Sequence, residues 1–385
     1  MATFQKVRIK DICKINPDSI GRNFNHKMIE YVDISSVGIG NLAETQEVDI
    51  QNSPSRAKRL VKSGDIIIST VRPNRRSFFY FKNPKENTVV STGFAVLRAL
   101  ENNNPRYLYY SVTDQSFTAY LTKNAKGSAY PAVDADIIYD GEVFVPENIE
   151  TQTCIASVLS AYDDLIENNE KRIKRLEEMA QLLYTEWFAL PSVAHSDSED
   201  VKEGELPEGW EVKKLGDLIK IKRGKNITLE TARPGNIPVV AGGLEPAYFH
   251  DTPNASGPVV TVSASGANAG FMRLYFEKIW ASDCSFIDSS VTPHVYFYYL
   301  FLKSKKDTVS RLQRGSAQPH VYPKDLMDLK ISKPPDLIIG EFEKKVAPLF
   351  ELVGTMRQKN QTLAKTRDLL IPQLVTGRRE VKSHE

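Results

Sequence analysis

The sequence predicts an α+β protein in which two mixed α/β domains are separated by two long antiparallel helices that form a coiled coil, with an internal pseudo-two-fold repeat relating the halves. Three observations carry this. Two stretches keep an unbroken heptad pattern, a frame of residues recurs at a fixed offset, and β-branched runs are confined to the segments that precede each heptad stretch.

Residues 1–150 read as the first α/β domain. Strand-type runs are Val7 to Ile12, Tyr31 to Ile34, Ile66-Ile67-Ile68, Thr88 to Val90 and Phe94 to Leu97, and the tyrosine-rich segment from Pro105 to Leu121 has helical spacing. Lys126-Gly127-Ser128-Ala129-Tyr130-Pro131 follows as a turn. Residues 151–190 form the first spacer helix, with apolar positions stepping by four and three through Ile155, Leu159, Tyr162, Ile166, Asn169 and on to Trp187. Leu190-Pro191 closes it, because proline has no N–H to continue the ladder.

Residues 191–209 are an acidic, polar linker. The second domain, 210–337, opens at Trp210 and has strand-type runs at Ile237 to Val240, Val259 to Val262 and Phe271 to Tyr275. A second tyrosine-rich segment, Pro293 to Leu302, precedes a second turn, Arg314-Gly315-Ser316-Ala317-Gln318-Pro319. Residues 338–376 form the second spacer helix, whose seam from Phe342 to Leu374 copies the first at an offset of 187, and 377–385 are a short basic tail.

If the helices pair antiparallel with flush ends, Asn169 meets Asn360 and Trp187 meets Phe342. Arg367 then falls beside Tyr162. A buried amide costs stability unless another polar group answers it, so one Asn per seam fixes the register.

The duplication extends beyond the helices. At an offset of 188, Pro105, Tyr110, Gly127-Ser128-Ala129, Pro131, Val133 and Pro146 find their counterparts in Pro293, Tyr298, Gly315-Ser316-Ala317, Pro319, Val321 and Pro334. Ile9, Asp11 and Ile12 match Leu215, Asp217 and Leu218 at an offset of 206. Between these anchors the halves differ in length and content, so the frame repeats and the middles do not.

Composition is that of an ordinary globular protein, 41% hydrophobic and 25% charged, with net charge +2. No apolar run approaches the ~18 residues of a membrane span and no signal core follows Met1, so a cytoplasmic protein is expected, with no membrane partner. Cys13, Cys154 and Cys284 are scattered, and the six His are dispersed, which points to neither a disulfide framework nor a metal site. Between Arg56 and Lys85 nine basic residues meet one acid, Asp65; this is either a phosphate-facing surface or a plain solvated face.

Catalytic machinery is not expected. The chain contains no GxxxxGK[ST], HExxH or GxSxG, and no [DN]PP[YFW] methylase tetrapeptide. Binding features occur twice instead. Lys126-Gly127-Ser128 and Arg314-Gly315-Ser316 each set a cation beside an open turn suited to phosphate oxygens, and an ordinary turn is the competing reading. Tyr130, Gln318 and His320 stand beside these turns. In the divergent middles, Arg72, Asn74, Arg75 and Arg76 follow one apolar strand, and Ser263, Ser265 and Asn268 follow or end another; these groups can reach base edges.

Pro207-Glu208-Gly209-Trp210 through Gly216, the paired Gly-Ser-Ala turns and the long helices from Ile166-Glu167-Asn168-Asn169 onward resemble the specificity subunit of type I restriction-modification systems, over the full chain. The first half departs from the pattern by starting at Phe4 instead of a Trp. The resemblance implies two target recognition domains reading an asymmetric, bipartite target in double-stranded DNA. It implies as partners two methylation subunits, which bind S-adenosylmethionine and modify adenine, and restriction subunits that translocate and cut. No cofactor is then bound by this chain. A tandem scaffold that docks proteins on its helices without touching DNA is the alternative from another class.

Overall fold

The computed structural model describes residues 3–21, 24–43, 45–188, 206–314 and 319–381. Its two longest elements are helices Ile149–Phe188 and Asp336–Val375, each 40 residues and so about 60 Å long at 1.5 Å per residue. Each begins two residues before the expected boundary. The expected stop at Leu190-Pro191 and linker residues 191–205 lie outside the described residues.

The chain divides into two compact units, residues 1–167 with 361–385 and residues 168–360, so each long helix contributes one half to each unit. None of the twenty seam positions is exposed. Within the second unit Asn169 Nδ2 donates to Asn360 Oδ1 at 2.8 Å, and the rings of Trp187 and Phe342 lie 5.6 Å apart, which makes the pairing antiparallel. Within the first, the Arg367 guanidinium donates to Asp163, one residue beyond the expected Tyr162. Asp163 also accepts the Tyr110 hydroxyl, so two donors compensate a carboxylate held largely away from water.

Both units are built on one plan. In the first, an antiparallel sheet runs Cys13–Ile15, Phe94–Ala99, Ile66–Ser69, Phe78–Tyr80; in the second, Lys222–Arg223, Cys284–Ile287, Val259–Ser263, Met272–Tyr275. The other sheet pairs Met28–Val32 in parallel with Thr88–Ser91, and Ile237–Val240 in parallel with Trp280–Ala281. Here the halves part. The first unit has an additional edge strand, Ala57–Leu60, which the second lacks among its described residues.

Several expected elements differ in detail. Val7 to Ile12 is not one strand: Phe4–Arg8 pairs with Glu142–Pro146, and Ile9–Ile12 is a single helical turn whose apolar residues at i and i+3 are buried. Pro105 to Leu121 is two helices, Pro105–Thr113 and Gln115–Asn124, separated because the Asp114 carboxylate caps the second through Ser116 N at 2.9 Å. The tetrad 207–210 is a turn, Trp210 N donating to Pro207 O at 3.1 Å with Gly209 at φ +81, a value that favours glycine. That turn lays Trp210 against Phe188 at 6.1 Å, while Phe4, its counterpart, lies against Gly377.

The long helices also cap their neighbours. Helix Val295–Ser304 begins at His294, whose side chain makes no cap, and its free N–H groups at Tyr296 and Phe297 donate to Glu343 at 3.0 and 2.9 Å. Burial pushes the Glu343 carboxyl up to about 7. Its folded value exceeds its unfolded one, so the stabilisation is complete below the ordinary carboxyl range near 4.5 and is lost as pH rises through 7. Stability of the unaltered chain should therefore fall between pH 5 and pH 8, and Glu343→Gln, which does not titrate but sets an N–H2 group against one of the two helix N–H donors, should flatten that dependence while lowering the melting temperature at pH 5. Melting curves of both proteins across that range check it, and an equal difference at every pH would remove Glu343 as the cause.

Candidate nucleic-acid interface

In the first unit, strand Ile66–Ser69 runs out into a loop that two backbone bonds fasten to residues 131–133, the end of a turn that a pair of bonds between Lys126 and Ala132 closes. Arg72 N donates to Pro131 O at 2.7 Å and Val133 N to Thr70 O at 2.8 Å, while Lys126 and Ala132 exchange a pair at 2.8 and 2.9 Å. In the second unit the same four bonds recur: Gly266 N to Pro319 O at 3.1 Å, Val321 N to Ala264 O at 3.0 Å, and a pair between Arg314 and His320 at 3.0 and 2.9 Å. Every turn-side partner is displaced by 188 and every loop-side partner by 194. The divergent loop is thus mounted identically in both units, although its sequence is not shared.

The loops differ in chemistry. A 3-10 turn at Pro73–Arg75 is flanked by Arg72 and Arg76, both left-handed at φ +48 and +56. That conformation is costly for a residue with a Cβ and is held by the surrounding bonds. It exposes Asn74 and Arg75 and drives Arg76 inward, where its guanidinium donates to Thr113 O at 2.9 Å. Arg72 lies over the exposed Tyr130 ring at 4.6 Å, which orients the guanidinium without neutralising it.

In the second unit Ser263 is buried and its hydroxyl donates to Gly242 O at 3.3 Å, so it, like Arg76, faces inward and not outward as expected. Ser265 bonds to Asp283, itself paired with Arg223 at 2.7 Å, and Asn268 Nδ2 donates to Gly242 O at 3.3 Å. Gly266, at φ +79, has open space where a Cβ would stand. His320 stacks on Tyr322 with centroids 5.7 Å apart. Gly315, Ser316 and Gln318 lie outside the described residues.

Each turn cation rests on a carboxylate of the helix that follows. Lys126 Nζ is 3.4 Å from Asp134, and an Arg314 guanidinium nitrogen is 2.7 Å from Asp325. Both cations are largely exposed; the Lys126 pair, exposed on both sides, is weak enough for an incoming phosphate to compete, whereas Arg314 rests on a buried carboxylate and has its remaining guanidinium donors turned to solvent. Gly127 and Ser128 are exposed beside the first, Gly127 at φ +98.

The basic run from Arg56 to Lys85 does not form one face. Arg59 donates to Phe94 O from within the sheet, Lys62 pairs with Asp18 at 2.9 Å, Lys82 with Asp164 at 2.6 Å and Lys85 with Glu30 at 3.1 Å. Intramolecular acids absorb charge that composition alone leaves free. What remains at the loop is Arg72 and Arg75, beside a cleft of about 480 Å³ between Asn74 and helix Gln115–Asn124 that no motif signals. Among the described residues, no cluster of His, Cys, Asp and Glu could hold a metal, and no helix is long and apolar enough to cross a membrane.

Comparison with known proteins agrees with this architecture. The family described as type I restriction modification DNA specificity domain matches residues 1–178 and 207–363. The chain is 28% identical over 348 residues, 84% of its own length and 79% of the relative's, to the type I restriction enzyme MjaIX specificity subunit of Methanocaldococcus jannaschii. It is 22% identical to the HindI specificity subunit of Haemophilus influenzae, covering 98% and 100% of the two chains. The crystal structure of a type I restriction-modification system S subunit from M. genitalium shares its fold at a TM-score of 0.57, with 16% identity over 99% and 97% of the chains.

Proposed function

Because the chain belongs to the type I restriction-modification DNA specificity family, we propose that its two α/β units are target recognition domains, each reading one half of a split, asymmetric sequence in double-stranded DNA. The observation that carries this is the doubled mount: in each unit two equivalent backbone bonds hold an unlike loop against a turn closed by an equivalent pair, beside an exposed cation. Constant mounting with variable content is what a reader of two different words needs. Lys126 and Arg314, with the Gly-Ser turns, position phosphates; Arg72, Asn74, Arg75 and, in the other unit, Ser265, Asn268 and His320 reach base edges.

On this reading the chain is not itself catalytic and binds no cofactor. Two methylation subunits supply S-adenosylmethionine and modify adenine, restriction subunits complete the assembly, and the complex works in the cytoplasm where its DNA lies. The helices offer the docking positions. Off the seam, Leu165 and Leu352 are exposed, as are Leu182 and Leu369, and both pairs keep the helical offset of 187. The first unit thereby presents Leu165 and Leu369, the second Leu182 and Leu352. A doubled apolar pair suits two copies of one partner.

Lys126→Ala or Arg314→Ala should weaken binding to all DNA sequences and lower the slope of log affinity against log salt by about one. Binding titrations at several salt concentrations measure it. A change confined to base preference, with the slope intact, would overturn the phosphate role.

A further inference from the structure

We propose that, in the first unit, the exposed face of helix Gln115–Asn124 together with Asn74 enters the major groove and reads base edges of the first half-site. This rests on the target-recognition reading above and adds a second reading element to the loop. Gln115, Thr118, Ala119 and Thr122 line the cleft shared with Asn74, with Lys123 beside them. Spacings of three, four and seven place these groups on one side of the helix.

The face has the chemistry of a surface awaiting a partner. No hydrogen bond or ion pair engages the side chain of Asn74, Gln115, Thr118 or Lys123 among the described residues, and of the cations beside them only Lys126 is paired with an acid, Asp134. Segments 66–85 and 115–133, which build the loop, the helix and the turn, contain no Asp or Glu. A surface whose own segments carry no acid, with Arg72, Arg75, Lys123 and the Asp134-paired Lys126 at its edges, is complementary to a polyanion. A helix fits the roughly 12 Å width of the major groove; a Gln or Asn amide can pair both the N6 and N7 positions of adenine, and a Thr or Ala methyl can pack on the thymine methyl. The first half-site is therefore expected to contain A·T pairs read by this face.

The corresponding helix of the second unit, Lys306–Arg311, differs. At the offset of 188, Thr118, Ala119 and Thr122 become Lys306, Asp307 and Ser310, while Gln115 falls at Lys303 in the preceding helix, Val295–Ser304. This helix carries no amide at those positions with which to pair an adenine edge.

The test is single-molecule methylation sequencing of cells in which the full chain, with its partner subunits, carries Gln115→Ala or Thr118→Val. Both positions lie at the surface or half-buried, so the fold should survive, and purified variants can be checked by melting. Discrimination at one base pair of the first half-site should relax by between about five- and about 150-fold for Gln115→Ala, with the second half unchanged. An unaltered motif under both variants overturns the proposal, as does loss of assembly with the methylation subunit, which would make the face a protein contact. If the unaltered chain itself directs no methylation motif, the target-recognition reading fails instead.

Discussion

Exchanging residues 13–104 for the matching segment of a relative with another target is expected to change one half of the methylated motif and leave the other half as it was. The segment's boundaries are structural. It starts at the first strand of the antiparallel sheet, Cys13–Ile15, and stops at Asn104, whose side chain caps helix Pro105–Thr113 by accepting from Arg106 N and Tyr107 N. It contains both four-stranded sheets of the first unit and the 70–76 loop, while the turn that clamps the loop stays with the recipient. The clamp uses backbone atoms of the loop, so a foreign loop can satisfy it without matching side chains. A bidentate pairing between a side chain and a base edge discriminates by about 1–3 kcal/mol, enough to replace one preferred base with another. Methylation sequencing before and after the exchange reads the outcome, and a change in both halves would sink the modular account.

Replacing the exposed leucines should remove partner subunits one at a time. Leu165→Glu with Leu369→Glu alters the first unit, Leu182→Glu with Leu352→Glu the second, and none of the four is needed in the seam. Burying a leucine is worth about 1.5–3 kcal/mol, so losing two at one docking surface weakens it about 100-fold or more before the cost of an unpaired carboxylate is added. The helix content of each variant should be unchanged. Copurified methylation subunits per chain should fall from two to one with either pair altered, and to none with both; an unchanged ratio would place the docking surface elsewhere.

The helical part of the fold was legible because a heptad seam is a property of spacing. Twenty positions at steps of four and three could be matched between halves, and the meeting of Asn169 and Asn360 followed from counting inward. The duplicated turns were legible for the same reason. The sheets were harder: Ala57–Leu60 hides its strand behind Lys58 and Arg59, and Lys222–Arg223 and Trp280–Ala281 are too short to show alternation.

At the site, sequence located the loops but not the directions of their side chains. The left-handed residues Arg72 and Arg76, which turn Arg76 inward while Asn74 and Arg75 stay out, depend on a clamp from about sixty residues downstream. The basic run misled because its neutralising partners, such as Asp18 and Asp164, are distant in sequence. The reading face of helix Gln115–Asn124 left one trace, the absence of any acid from Gln115 to Val133, and that trace has no motif to name it.

The central claim is that this chain chooses the DNA sequence its complex modifies. Single-molecule methylation sequencing of otherwise identical cells with and without its gene tests that claim most directly. The expected result is the loss of one motif made of two unlike words separated by unread base pairs. Retention of every motif, or loss of one that is continuous or symmetric, would contradict it.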